Sequence, residues 1–373
     1  MKIYKEKIGN KHIIHIGKIK IIYKKHVNKN SLKQDKKSQI EFYLIDSFEI
    51  YHYLLIYKEL INRGINARIV AEPCEINTSK TWFDYDTAIK ILEDKGVDYC
   101  TKANPNAKIA ITTQRAELLS KYKNKKINLS YGFGWTNNYF INSLDAIKDF
   151  DFKFVHGEIQ EKILNDYKTN SIVKIFGYPK YNDFLKNPPE KETILKELNI
   201  NTNKPILGYF PTWDEDASIS KFADEINKLR EHFFVITKPH HCTLRLPNKK
   251  DDLQTIFKIS DLVLDGNYDF AKAAYLCDIA LCDAKSGASC EVPYLNNNKP
   301  LILLSNTEDL SKYLPSLIEY SKIITKPSLL VEEVKSIFKD DIFKDTRKII
   351  LEKIYSKKDT YKVVTTIKEI LEN

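Results

Sequence analysis

Several scarcities bound what this 373-residue chain can be. No apolar run approaches the ~18–20 residues that a spanning helix needs, and the N-terminus lacks the apolar core and small-residue cleavage site of a signal peptide. A cytoplasmic protein is therefore expected. The six cysteines, Cys74, Cys100, Cys242, Cys277, Cys282 and Cys290, never stand in C-x-x-C spacing, which argues against a disulfide framework or a zinc ribbon. They read as buried thiols that behave as small apolar residues. Glycine is held to eleven positions, so its placement carries information about backbone geometry.

What is present points to a folded chain of about two domains. Hydrophobic residues make up 43% and aromatics 12%, enough apolar area to offset the ordering entropy that leaves polar chains disordered. The net charge of +9 is local rather than global. Residues 1–38 hold twelve lysines against Glu6 and Asp35, which leaves the remainder near neutral. Within this basic arm, "KHIIHIGKIKIIYKKH" alternates isoleucine with lysine at strand-like spacing. It reads either as an amphipathic hairpin for an anionic lipid surface or polyanion, or as an edge strand protected by lysines. No nucleic-acid partner is expected, because the excess charge is confined to the arm and no aromatic RNA-binding motif accompanies it.

From Ile40 the sequence alternates strands and helices. "IEFYLID", "NARIVAE", "KIAITT", "KKINLSYG", "FKFVHG" and "IVKIFGYP" are strand candidates, with helices predicted over 84–95, 114–122 and 158–168 between them. "KNPPEKETILKEL" joins a double proline to a charged run and marks an exposed connection. A second alternation follows through "KPILGYFPTW", "FFVITKPHH", "DLVLDG", "CDIALCDA" and "KPLILLSN". The expected organisation is a basic arm (1–38), a first α/β domain (39–186) and a second with a helical tail (187–373). Two such domains form a cleft, and ligands bind there beyond the carboxyl ends of strands.

The chemistry-bearing residues stand at those strand ends. "FGYPKYNDF" carries Gly177, Lys180 and Asp183 and reads as a shaped crossing between the domains. "GYFPTWDED" ends a strand with Pro211, after which Thr212 is a candidate helix cap and Trp213 offers a ring face. Its acidic run reads as first-turn helix chemistry. "ITKPHHCT" sets Lys238, His240 and His241 after a strand, where cation and imidazole suit a diphosphate; no partner ligands at metal spacing accompany them, so no metal is expected. "LVLDG" ends in Asp265 and Gly266, and "CDAKSGASCE" supplies Asp283, Ser286, Gly287, Ser289 and Glu291. Ser286 and Ser289 share one face of a first helical turn beside free backbone donors. That turn reads either as a phosphate cradle or as an ordinary capped buried helix.

Taken in order, the G-Y-P-K-x-N turn, the strand ending P-T-W, the K-x-H strand end and the D-x-x-S-G-x-x-x-E turn before "NKPLILL" resemble the CDP-glycerol glycerophosphotransferase family, which includes teichoic acid polymerases and capsule-type relatives. The match runs across about residues 125–305. The resemblance implies an α/β fold of two facing Rossmann-like domains, of the GT-B type, with the donor in the C-terminal domain. It implies transfer of a phosphopolyol, such as glycerol phosphate, from a CDP-activated donor to a hydroxyl of a cell-surface polysaccharide or lipid-linked acceptor, with release of CMP and no cofactor. It also implies His240 near the donor diphosphate, Pro211, Thr212 and Trp213 beside it, Ser286 and Gly287 around phosphate, and Glu291 at the donor's sugar or hydroxyls.

Three positions depart from the family pattern. Tyr131 precedes Gly132 where the polymerases carry a histidine taken as the acceptor's base, Lys285 is an extra residue between Asp283 and Ser286, and His241 stands where proline is usual. The base is left open among Tyr131, His156 and Asp46. A GT-B glycosyltransferase using a nucleotide sugar and a noncatalytic nucleotide-binding assembly protein remain the alternatives. A cytoplasmic protein meeting the inner face of the plasma membrane through its basic arm follows from the same reading.

Overall fold

Runs such as "IEFYL" and "IALCD" are buried along their whole length, which only a sheet covered on both faces accommodates and which favours parallel pairing. The computed structural model describes residues 38–74, 85–135, 149–167, 169–266, 268–356 and 360–372, together with the backbone of 3–8, 11–16 and 19–24. The arm forms three antiparallel strands, β1 (Ile3–Ile8), β2 (Lys11–Ile16) and β3 (Ile19–Lys24). The proposed lysine-lined face of that arm, and the lysine-rich 25–37, lie outside the described residues.

The first α/β unit holds β4 (Ile40–Leu44), β5 (Ala67–Ala71), β6 (Tyr99–Cys100), β7 (Ile109–Thr112), β8 (Lys125–Leu129), β9 (Phe152–Val155) and β10 (Ile172–Ile175), in spatial order β10-β9-β8-β7-β4-β5-β6. The second holds β11 (Ile206–Phe210), β12 (Phe234–Thr237), β13 (Leu262–Val263), β14 (Ile279–Asp283), β15 (Leu301–Leu304) and β16 (Lys322–Ile324), in the order β13-β12-β11-β14-β15-β16. All pairings within both sheets are parallel. This is the expected pair of doubly wound domains. The short β6 and β16 escape sequence patterning because two or three residues show no period. The helix predicted over 114–122 is a single 3₁₀ turn, Ala116–Leu119.

Each sheet is built outward from its middle, so strand order reverses between β4 and β7 and again between β11 and β14. Loops leaving adjacent strands in opposite directions open a crevice at each reversal. One buried carboxylate ties each crevice together. Glu49, in the first turn of the helix Ser47–Asn62, accepts from the backbone N–H groups of Ile45 (2.6 Å) and Asp46 (2.9 Å) after β4 and from the Thr113 hydroxyl (2.6 Å) after β7. Asp283, at the end of β14, accepts from the N–H groups of Thr212 (2.7 Å) and Ser218 (3.3 Å), which follow β11. Burial pushes both carboxyl groups up to about 7.

Chain crossings join the domains. The segment "YGFGW" after β8 sends Phe133 and Trp135 into the core of the second domain, and the last helix, Thr360–Glu372, returns to set Val363, Val364, Ile367 and Ile370 in the core of the first. Arg63 stacks over the Tyr361 ring at 3.8 Å there. Among the described residues no helix is long and apolar enough to cross a membrane.

Lys153 on β9 is a charge in the wrong medium. It is buried, bonds the Asn128 side chain on β8, and is pushed down to about 7 by desolvation. Between pH 7 and the ordinary lysine value the unfolded chain binds the extra proton, so wild-type stability rises with pH across that window; at pH 7 and below the whole charging cost is present. Lys153→Met is expected to stabilise by about 1–4 kcal/mol near pH 6.5 and by less near pH 9.5. Melting temperatures of both proteins at the two pH values check this, and a pH-independent difference would contradict it.

Candidate functional site

Both crevices open into one cavity of about 1030 Å³ between the domains. From the first domain come Ile45 and Asp46 after β4, Gln114 and Arg115 after β7, and Tyr131 and Gly132 after β8. From the second come Trp213 after β11, His240 and His241 after β12, and Ser286 and Gly287 after β14. Glu291, Lys180 and His52 complete the wall that concerns the chemistry.

The second-domain face has the geometry of an anion site. His240 N-caps the short helix His241–Arg245, its Nδ1 accepting from the Cys242 N–H at 3.2 Å. Because Nδ1 is an acceptor, the ring proton of the neutral imidazole sits on Nε2. Desolvation, then the neighbouring His241, Lys238 and Arg245, push His240 down to about 3, so it is neutral at pH 7 and offers Nε2–H as a donor. The Trp213 ring stacks on it (6.0 Å between centroids, 27° between planes) and His241 leans against it at 4.1 Å. In the same cavity wall, Ser286 accepts from the Ala288 N–H (3.2 Å), which leaves its hydroxyl proton to donate. Gly287, whose N–H has no protein acceptor among the described residues, opens the helix Ala288–Leu295 at the positive end of its dipole. A Cβ on Gly287 would touch only the Phe133 carbonyl oxygen, at 3.8 Å.

Other anticipated residues lie outside this wall. Pro211, Thr212, Lys238, Asp265, Gly266, Asp283, Ser289, Gly177 and Asp183 are not among the residues lining the cavity. Thr212 does not cap the next helix: its N–H goes to Asp283, and the helix Ile219–Leu229 begins after Ser218. The acidic run is likewise no first turn, because Asp214 (3.2 Å) and Asp216 (2.5 Å) hold the Lys285 ammonium, with Lys312 on Asp216 at 3.3 Å. The extra Lys285 is thus neutralised within its own domain. Lys238 spends its ammonium on the carbonyl oxygens of Asp265 (3.0 Å) and Gly266 (3.1 Å). The Ser289 hydroxyl donates to the Ser286 carbonyl (2.6 Å) and accepts from the Trp135 indole (2.9 Å), so it is used up in joining the domains.

The crossing "FGYPKYNDF" delivers groups to Glu291 rather than to the cavity at large. Tyr178 donates to one Glu291 oxygen at 2.7 Å, Tyr181 bonds the other, and Lys180 lies 3.6 Å away. Lys180 therefore pairs with Glu291 and not with Asp183, which is exposed. Gly177, at φ 75, supplies the left-handed turn that aims this segment. Its carbonyl accepts from His156 Nδ1 at 2.8 Å.

Residues missed in the sequence are those that face the cavity from helices. His52, Phe48 and Phe270 carry no signature, since each reads as one more apolar-face position. His240, His241 and Cys242 also place three ligand-type atoms within 4.8 Å of one another. His240 Nδ1 is already committed to the Cys242 N–H, and burial raises the Cys242 thiol; both disfavour a metal there.

No protein-family model matches the chain, and no curated protein matches it. Solved structures of similar fold include the wall teichoic acid polymerase TagF, at 16% identity over 90% of this chain and 88% of that one, with a TM-score of 0.60. A putative UDP-N-acetylglucosamine 2-epimerase from Listeria monocytogenes aligns at 14% identity over 89% of this chain and 96% of its own, TM-score 0.63. The UDP-GlcNAc 2-epimerase from Neisseria meningitidis, bound to UDP-GlcNAc, aligns at 14% over 90% and 100%, TM-score 0.59. At such identities the likeness is one of fold: two facing Rossmann-like domains of the GT-B type.

Proposed function

We propose that this chain is a transferase that takes a nucleotide-activated donor in its second domain, and that the donor is a CDP-activated polyol whose phosphopolyol passes to a hydroxyl of a cell-surface polysaccharide or lipid-linked acceptor, with release of CMP. The observation that carries this reading is the convergence of two switch-point crevices on one cavity, which His240, with its neutral Nε2–H donor, and the helix start at Ser286–Gly287 both line. Neighbours of this fold named as a teichoic acid polymerase and as UDP-GlcNAc 2-epimerases support a nucleotide-bearing ligand. In the reaction an acceptor oxygen attacks the β-phosphorus of the donor and CMP leaves with its bridging oxygen. Charge accumulates on phosphoryl oxygens, and donors fixed in place before the reaction stabilise it. His240 Nε2–H, the Ser286 hydroxyl and the Gly287 N–H are those donors. Trp213 offers a ring face to the nucleotide. The lysines of the arm suit the anionic inner face of a membrane, where a lipid-linked acceptor is held.

A ligand that binds only the native state raises its stability by about 2.7 kcal/mol at a hundred times Kd, a shift of roughly 5–10 °C for domains of this size. CDP and CDP-glycerol are expected to produce such a shift, and GDP is not. A shift with UDP alone, together with a nucleoside diphosphate product, would replace the phosphopolyol reading by glycosyl transfer. Binding without any turnover would favour the noncatalytic alternative.

A further inference from the structure

The acceptor hydroxyl must lose a proton as it attacks, and the first domain has to receive it. Asp46 spends its carboxylate on capping the helix Ser47–Asn62, accepting from the Ser47 N–H and hydroxyl and from the third helical N–H. His156 does not line the cavity, and its Nδ1 is tied to the Gly177 carbonyl. Tyr131 does line it, but desolvation and the charge of Glu49 push its phenol above its ordinary value, so it holds its proton at neutral pH. None of the three offers a free basic lone pair at the cavity wall.

His52 does. It stands in the second turn of the same helix that Asp46 caps, with its ring packed against Phe48 (6.2 Å), Tyr131 (6.4 Å) and Tyr178 (6.0 Å). Only 7% of the residue is exposed, and it lines the cavity. Among the described residues neither ring nitrogen has a hydrogen-bond partner, although the packing around the ring fixes its position. We propose that His52 is the general base that accepts the proton of the attacking acceptor hydroxyl, a role that rests on the transfer reading above. The proton moves from the acceptor oxygen to a His52 ring nitrogen, the oxygen bonds to the β-phosphorus, and the bond from that phosphorus to the bridging oxygen breaks, CMP keeping the electron pair. The imidazolium then returns its proton to solvent.

Two features suit the ring to this work. Burial, then the charges of Lys180 and His156, hold it well below its ordinary value, so it is unprotonated before substrate arrives. A donor diphosphate in the cavity brings negative charge that favours the imidazolium and strengthens the base once the substrate is bound. Tyr131, which occupies the chain position of the absent histidine, instead packs edge-on against the ring of the group that replaces it.

The test measures CMP release from CDP-glycerol with a soluble oligosaccharide bearing a free primary hydroxyl, alongside the melting-temperature shift with CDP. His52→Ala and His52→Gln are both expected to lower kcat by about 10²–10⁴-fold while keeping the CDP shift of the wild type. Added imidazole is expected to restore turnover to His52→Ala and not to His52→Gln, which fills the space. A purely structural role would give no such rescue. Turnover within threefold of wild type in either folded variant, or a loss that imidazole leaves unchanged, overturns the assignment. A wild type that binds CDP but releases no CMP overturns the transfer reading itself, and the base with it.

Discussion

His240→Ala is expected to lower transfer by about 10²–10³-fold in kcat, the usual loss when one preorganised donor to developing charge is removed. The side chain has two jobs that can be separated. Nδ1 accepts from the Cys242 N–H and so caps the helix His241–Arg245, while Nε2–H is left as the donor of a residue that lines the cavity. Loss of a cap costs about 1 kcal/mol, which is roughly 2–4 °C in melting temperature. His240→Asn keeps a good capping side chain without the imidazole, and is expected to hold the wild-type melting temperature while losing most of the turnover. Steady-state CMP release and a thermal melt on the two variants decide the matter. Near-normal turnover by His240→Ala would remove His240 from the chemistry.

Gly157→Ala is expected to destabilise the frame through a single added methyl. Gly157 follows β9 and starts the helix Glu158–Asp166 in extended backbone that any residue could adopt, so the reason for glycine is space. A Cβ there would lie 2.4 Å from the Lys353 carbonyl oxygen and 2.5 Å from that of Ile354. Both are backbone atoms at the end of the helix Lys344–Ile354 and cannot rotate aside. The next residues, through the Ser356 N–H bonded to the His156 carbonyl at 3.1 Å, carry the chain back toward the first domain. Overpacking typically costs about 1–3 kcal/mol, and a clash of this depth against backbone belongs at the upper end. A fall of roughly 5–10 °C in melting temperature follows. A melt unchanged within 1–2 °C would mean that this contact between the two halves is absent in solution.

Much of the architecture was legible because it rests on local rules. Continuous apolar runs announced strands buried on both faces, and alternation with helices announced parallel sheets. The strand ends were legible too: the stretches that follow strands carry Trp213, His240, Ser286, Gly287 and Glu291, and all five line the cavity. Lys180 and Tyr131 do as well. Ser289, Lys238 and Asp283 looked equally suitable as residue types, yet their polar atoms are consumed by Trp135, by the carbonyls of Asp265 and Gly266, and by the backbone of Thr212 and Ser218. Sequence proximity shows that a polar group is present; it does not show which partner satisfies it.

The sequence by itself determined the class of the fold, the two alternating halves and the strand ends that line the cavity, because side-chain period and turn chemistry act over a few residues. Tertiary structure alone decided which strands become neighbours at each reversal, and so which loops face one cavity. It decided that Glu49 and Asp283 are ties, that Lys285 is held by Asp214 and Asp216, and that His52 stands beside Tyr131. Those contacts join residues as much as 79 positions apart. A polar or basic group acquires its role from what surrounds it after folding: burial raises the carboxyl groups of Glu49 and Asp283 and lowers His52, while Asp214 and Asp216 raise Lys285 against the opposing effect of burial.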